Sequence, residues 1–147
     1  MEGNSERHRI TIRTYEAFYS RRKFEVEGNF DLKGMPILNE EIKHYIEKYS
    51  NEIQQMFMEI REIAVQSFPD VVEEKMWAKL PSYYVNERFV RVIPFKDHIN
   101  IEASALIQHA NELTLYKITP KGMLQVYANQ KIPQEILAVG FKQTFLG

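Results

Sequence analysis

The chain has no cysteine, and this absence removes several kinds of chemistry at once. Without thiols there can be no disulfide framework, no zinc–thiolate site and no cysteine nucleophile. The sequence also has no uncharged apolar run of about 18 residues, the length that a membrane-spanning helix needs. The arginines near the start of the chain have no apolar segment behind them. We therefore expect a cytoplasmic protein with no membrane partner.

The chain also has almost no net charge. Nineteen basic residues against twenty acidic ones leave a formal charge of −1. Such a chain has no broad positive field with which to attract nucleic acid. A nucleic-acid partner is therefore not expected.

What the chain does have is the composition of an ordinary globular protein. It has 147 residues, of which 44% are hydrophobic and 27% are charged. A chain of this length buries roughly 68–70% of its unfolded surface, which is enough for one sizeable core. The composition predicts one folded domain.

Residues 1–36 differ from the rest and are predicted to form an N-terminal extension, with the main domain at residues 37–147. Residues 9–15 alternate polar and β-favouring side chains, and residues 24–26 indicate a second short strand. A sheet of only two strands is marginally stable in water. They would pair with the main sheet, pair with a second chain in a homodimer, or remain unpaired.

The main domain begins with two predicted amphipathic helices. Asn39 is the predicted N-cap of the first, and apolar residues follow at helical spacing up to residue 49. Asn51 and Gln54 predict a capping box for the second helix, which ends before Pro69.

The sheet is predicted between residues 76 and 102, where aromatic and β-branched residues cluster. Asn86-Glu87 predicts the turn of an antiparallel hairpin, and residues 98–102 alternate so that Ile99 and Ile101 face inward. A third helix from a Ser104 cap to residue 115, a strand at 123–127 and a last helix from Pro133 complete the pattern. The predicted fold class is α+β: an antiparallel sheet with helices packed on one face.

Seven residues in this order resemble the signature of the YdhG-like family of small bacterial proteins, over residues 37–147: Trp77, Pro81, Tyr83, Lys96, His98, Lys121 and Gly122. Most members of that family have no assigned activity. The family is likened to frataxins, small α+β chaperones that bind iron through surface carboxylates. The resemblance implies a weakly held Fe²⁺ cargo and iron–sulfur or haem assembly proteins as partners. This chain has Met123-Leu124-Gln125 where members tend to have a Thr-Ile-Arg-like strand, and so lacks a cation there.

Carboxylate and imidazole side chains that suit iron lie on the two predicted helices. Glu40, His44 and Glu47 fall within about 60° of one another on the first helix. Glu59 and Glu62 are neighbours on the second. The interleaved lysines also fit an ordinary solvated helix face, so the two interpretations remain open.

A second hypothesis is a non-enzymatic binding module for a small anionic ligand or a partner protein. Its predicted pocket consists of Trp77, Tyr83, Lys96, His98, Lys121 and Gly122. Four of these residues also have a structural alternative: core packing for the tryptophan, a structural hydrogen bond for the histidine and a simple turn for Lys121-Gly122. No nucleophile–base motif, phosphate loop or closed metal motif occurs, so no catalytic residue is predicted.

Overall fold

The computed structural model describes residues 12–16, 23–27 and 35–147. The strands are β1 (Ile12–Glu16), β2 (Lys23–Glu27), β3 (Glu73–Trp77), β4 (Leu80–Val85), β5 (Arg88–Pro94), β6 (His98–Glu102), β7 (Lys117–Ile118) and β8 (Leu124–Tyr127). The helices are α1 (Glu40–Ile46), α2 (Asn51–Gln66), the 3-10 helix η1 (Ser104–Glu112) and α3 (Gln134–Leu146). None of the helices in these ranges is long and apolar enough to cross a membrane.

Six strands form one antiparallel sheet in the order β3-β4-β5-β6-β8-β7. The predicted α+β class is confirmed. We call the side that packs on α2 and α3 the first face of the sheet. Its buried side chains are Tyr83, Val90, Val92, Ile99, Ile101, Leu124 and Val126. They meet apolar residues of the helices, among them Phe57, Ile60, Leu137, Phe141 and Phe145.

Local sequence signals for the hairpin and for the first helix are confirmed. Val85 pairs with Arg88 across the Asn86-Glu87 turn, and Asn86 has a φ of 57°, which a short polar side chain tolerates. The Asn39 side chain accepts a hydrogen bond from the amide of Ile42 at 3.1 Å, as an N-cap does.

The predicted start of the second helix is wrong by one residue. Ser50 is the N-cap, and its Oγ accepts from the amide of Ile53 at 3.2 Å. Asn51 is the first residue of α2, and the Gln54 amide reaches back to the carbonyl of Tyr49 at 2.8 Å. Serine and asparagine are similarly good caps, so sequence alone does not separate the two.

The predicted α-helix from Ser104 to residue 115 is also wrong, because the segment is a shorter 3-10 helix with a kink at His109. Packing on α3 explains the difference. The amide of Ala105 donates to Thr144 Oγ1 at 3.1 Å, and Gly140 lets Leu106 approach α3 closely. His109 adds hydrogen bonds to Gln143 and Glu112, which raise its pKa. Tertiary contacts therefore override the local helical pattern.

Strands β1 and β2 pair with each other in an antiparallel two-stranded sheet, with Thr14 opposite Glu25. Residues 9–11 of the predicted first strand lie outside the described residues. The side chain of Met35, two residues before the predicted boundary, is buried in the main core.

The first face contains one buried ion pair at its β3 edge. Arg61 Nε lies 2.6 Å from Glu74 Oε2, and both side chains are almost inaccessible to solvent. The Tyr83 hydroxyl donates to the same oxygen at 2.8 Å, and the amide of Asn39 donates to Glu74 Oε1 at 3.0 Å. Arg61 also donates to the carbonyl of Pro36 at 2.8 Å. Burial, with a further contribution from Glu74, raises the pKa of Tyr83 well above its usual range, so its hydroxyl stays a donor.

We predict that Glu74→Gln lowers the free energy of unfolding by about 3–5 kcal/mol, because it leaves the Arg61 guanidinium buried without its counter-charge. The control is Glu73→Gln, the adjacent carboxylate, which is exposed and 3.6 Å from Lys75 Nζ. It should change stability by less than about 0.5 kcal/mol. Urea unfolding at neutral pH measures both, and equal effects would contradict the ion pair's role.

Candidate functional site

The second face of the sheet, turned away from α2 and α3, carries aromatic and polar side chains that the strands leave outside the core. The strand registers place on this face the aliphatic Ile93 and, among its aromatic and polar side chains, Trp77, Tyr84, Phe89, Arg91, His98, Asn100, Glu102, Gln125 and Tyr127. Alternation along each strand produces this set, since every second residue points away from the core.

Arg91 lies between two aromatic rings on this face. Its guanidinium carbon is 4.1 Å from the centre of the Trp77 ring and 3.7 Å from that of Phe89. Only 6% of Arg91 is exposed. We call these three residues the Arg91 stack. Cations held over aromatic faces in this way are stabilised by the ring quadrupole, more so when they are desolvated.

Hydrogen bonds fix the orientation of the guanidinium. Its three nitrogens donate to Ser82 Oγ at 3.2 Å, Tyr84 Oη at 3.1 Å and Glu102 Oε1 at 3.3 Å. These acceptors come from β4 and β6, on either side of Arg91 in the sheet. Ser82 is a completely buried residue of β4.

Trp77 ends the edge strand β3 and is 50% exposed, so the core-packing alternative for it is wrong. The two residues that follow it turn the chain into β4 with positive φ, 49° at Ala78 and 67° at Lys79. A two-residue hairpin turn of this type favours Asn-Gly, and a residue with a Cβ costs energy there. The chain therefore carries backbone strain directly beside its exposed tryptophan.

His98 occupies a second aromatic cluster at the other end of the face. Its ring stacks on Phe95 with 4.7 Å between ring centres and tilts against Tyr127 at 4.8 Å. Its Nδ1 is 2.8 Å from the carboxylate of Asp97. Two aromatic contacts and one polar contact thus hold the ring.

The six residues of the predicted ligand pocket do not converge. Trp77 and His98 share the second face but lie three strands apart. Tyr83 is completely buried on the first face, and Lys96 is exposed in the turn between β5 and β6. Lys121 and Gly122 lie between β7 and β8.

A cleft of about 440 Å³ contains the last two of these residues. Lys121 and Gly122 line it together with Phe89, Glu102 and Arg88. Because Phe89 and Glu102 also contact Arg91, the cleft adjoins the Arg91 stack. Its charged groups are of both signs, which does not favour an anion.

The predicted iron ligands of the first helix share one exposed surface. Glu40, His44 and Glu47 line an open depression of about 840 Å³, with His44 Nδ1 3.7 Å from Glu47 Oε1. Tyr45 also lines it, but burial raises the pKa of Tyr45 to about 12, so its hydroxyl does not supply a phenolate ligand at neutral pH.

The two predicted ligands of α2 lie apart from this depression. Glu59 accepts a hydrogen bond from Gln134 at the start of α3, and Glu62 lies three residues further along α2. Among residues 12–16, 23–27 and 35–147, no group of three or more acidic or histidine side chains is arranged to hold a metal ion.

Sequence reasoning missed the roles of Arg91 and Glu74. The two-residue turn at Asn86-Glu87 sets the hairpin register, so Arg91 could have been placed opposite Ser82. Sequence could not show that the guanidinium lies between two rings. Glu74 stands in an acidic run, and nothing local distinguishes the buried carboxylate from its exposed neighbour Glu73.

We predict that Lys79→Gly raises the free energy of unfolding by on the order of 1 kcal/mol, because glycine relieves the positive φ at this position. Lys96→Gly is the matched control, since Lys96 is also an exposed lysine in a turn but does not have a positive φ. It should be neutral or slightly destabilising. Thermal and urea unfolding of both variants test the strain; destabilisation by Lys79→Gly would rule it out.

Comparison with known proteins does not assign the chain to a family. No protein-family model, curated protein or solved structure matches the chain. The resemblance to the YdhG-like family, with the iron handling that it implies, therefore stays a prediction.

Proposed function

We propose that the protein is a non-catalytic binding module that holds a partner protein against the second face of its sheet, with Trp77 as the anchor. The observation that carries the proposal is the half-exposed Trp77 ring, supported from beneath by the buried Arg91. Tryptophan, tyrosine and arginine dominate the energetics of protein interfaces.

The fixed position of the ring supports this role. Arg91 is held by acceptors on two neighbouring strands and by the Phe89 ring, so the surface beneath Trp77 does not have to rearrange on binding. A side chain that is already ordered loses less conformational entropy when a partner covers it. The turn at Ala78 and Lys79, which follows Trp77 at this edge, has a strained backbone, as is common at functional sites.

The charges of the face favour a protein partner over a small anion. All three nitrogens of Arg91 already donate to Ser82, Tyr84 and Glu102. Lys75 lies beside Glu73 at 3.6 Å and above the Tyr84 ring. Paired charges and exposed rings give a surface that buries well against another protein.

We predict that Trp77→Ala weakens binding of the partner by about 30-fold or more, the loss of about 2 kcal/mol expected for an interface hot spot. The control is Val71→Ala, which removes an equally exposed apolar side chain, at 51%, in the segment before β3 and six residues from Trp77. The tagged full-length chain is used to enrich partners from an extract of its source cells. The affinity of the enriched protein for wild type and both variants is then measured by calorimetry.

Loss with Trp77→Ala and retention with Val71→Ala is the result the proposal requires. Equal binding by wild type and Trp77→Ala would rule out the anchor. Native mass spectrometry of the purified chain identifies the alternative, a small anionic ligand that remains bound without any protein partner.

We also propose iron handling as a second candidate, on one observation: Glu40, His44 and Glu47 line the same exposed depression on α1. Carboxylate and imidazole ligands at an open surface suit a cation that must be released to an iron–sulfur or haem assembly protein.

For this second candidate we predict saturable binding of ferrous iron in anaerobic calorimetry, resistant to excess magnesium. The double variant Glu40→Gln/Glu47→Gln should abolish it with no loss of fold, because both residues are exposed. Glu135→Gln, an exposed glutamate in the first turn of α3, is the matched control. Binding that magnesium displaces, or that survives the double variant, would eliminate the site.

A further inference from the structure

The cleft beside the Arg91 stack has the size of a small-molecule site. Its volume of about 440 Å³ falls within the range of roughly 300–1,000 Å³ that is usual for ligand pockets. It lies where the start of β5, the end of β6, η1, the β7–β8 turn and the end of α3 meet. Contacts between distant parts of the chain therefore give the cleft its shape.

Two cationic residues, Arg88 and Lys121, line the cleft and are exposed. Neither side chain forms a hydrogen bond or an ion pair with a residue of the described ranges. The Arg88 guanidinium lies against the backbone of Gly147, so it is in contact with the end of α3. A guanidinium can donate two parallel hydrogen bonds to a carboxylate, and the lysine ammonium adds a second positive charge. These two residues therefore suit the carboxylate group of a ligand.

Carboxylates also line the cleft, and one of them has an oxygen that a ligand can reach. Glu102 Oε1 accepts from Arg91 at 3.3 Å, whereas Oε2 has no partner among the described residues and is accessible to solvent. The Glu102 side chain as a whole is 35% exposed. Glu87, at the start of the same cleft wall, is exposed as well. Because carboxylate oxygens accept hydrogen bonds, these groups suit an ammonium group.

Apolar side chains complete the wall of the cleft. Phe89 and Ala103 line it from the sheet, and Ile107 lines it from η1. Ile107 is 59% exposed, a large fraction for an isoleucine beside a cleft. Covering it with an apolar group removes apolar surface from water, which is favourable. The cleft thus offers an apolar surface next to charges of both signs.

We infer that this cleft binds a free amino acid with an apolar side chain. The carboxylate of the ligand pairs with Arg88 and Lys121, and its ammonium group donates to Glu102 Oε2. Its side chain packs on Phe89 and Ile107. A zwitterion satisfies the charges of both signs, whereas a simple anion or cation leaves one set without a partner. The inference goes beyond the proposed function, since the ligand and the residues that hold it are different from those of the partner surface.

The test uses L-leucine as the probe. It is titrated into the full chain, and the backbone amide signals of Ser104 and Gly122, which line the cleft, are followed by ¹H–¹⁵N NMR. We expect saturable shifts with a Kd of about 1 mM or lower. The analogue 3-methylbutylamine lacks the carboxylate and 4-methylpentanoate lacks the ammonium group, so each should bind at least about tenfold more weakly. No saturation at these signals, or an analogue that binds as tightly as leucine, would overturn the inference.

Two variants assign the two charged groups of the ligand. Lys121→Gln should weaken L-leucine about fivefold or more and leave 3-methylbutylamine unchanged, because that analogue has no carboxylate. Glu102→Gln should weaken L-leucine by a similar factor, about fivefold, and leave 4-methylpentanoate unchanged, because that analogue has no ammonium group. Lys96→Gln, at an exposed lysine in the turn between β5 and β6, is the control and should have no effect. Unchanged leucine binding by either variant, or equal weakening of leucine and both analogues, would overturn the inference.

Discussion

The buried pair of Arg61 and Glu74 is the contact on which the arrangement of the sheet edge depends. Among the described strands, β3 pairs with β4 alone, so its backbone hydrogen bonds to the sheet lie along one side. Glu74 supplies the other attachment, since it binds Arg61 of α2 and the amide of Asn39 before α1. Burying a charged pair lowers stability unless the hydrogen-bonding atoms of both groups have partners. Here the Tyr83 hydroxyl donates an additional hydrogen bond to Glu74. Strand β3, which ends at Trp77, is therefore fixed to the helices through its second residue.

Two buried arginines hold the same strands from opposite faces. Arg61 acts on the first face through Glu74, and Arg91 acts on the second through Ser82, Tyr84 and Glu102. The first contact fixes where β3 lies, and the second fixes how the Trp77 ring is presented. The stability of the domain and the proposed recognition surface therefore depend on the same short antiparallel unit. Contacts elsewhere in that unit offset the strain of the β3–β4 turn.

Sequence signals predicted those parts of the fold that local chemistry decides. The cap at Asn39, the turn at Asn86 and the alternation of β6 need only neighbouring residues, and each was confirmed. The 3-10 form of η1 was missed because Thr144 and Gly140, far along the chain, decide it. The candidate site was least predictable. Its residues follow from strand register, but the stacking on Arg91 depends on contacts that span three strands.

The most direct test of the central claim is to map which side of the sheet a partner covers. A photo-crosslinking amino acid placed at Lys75, on the second face beside Trp77, should yield a covalent adduct with the partner in living cells. The same group at Gln55, exposed on α2, should yield none. Adducts from the α2 position alone would contradict a recognition surface on the second face.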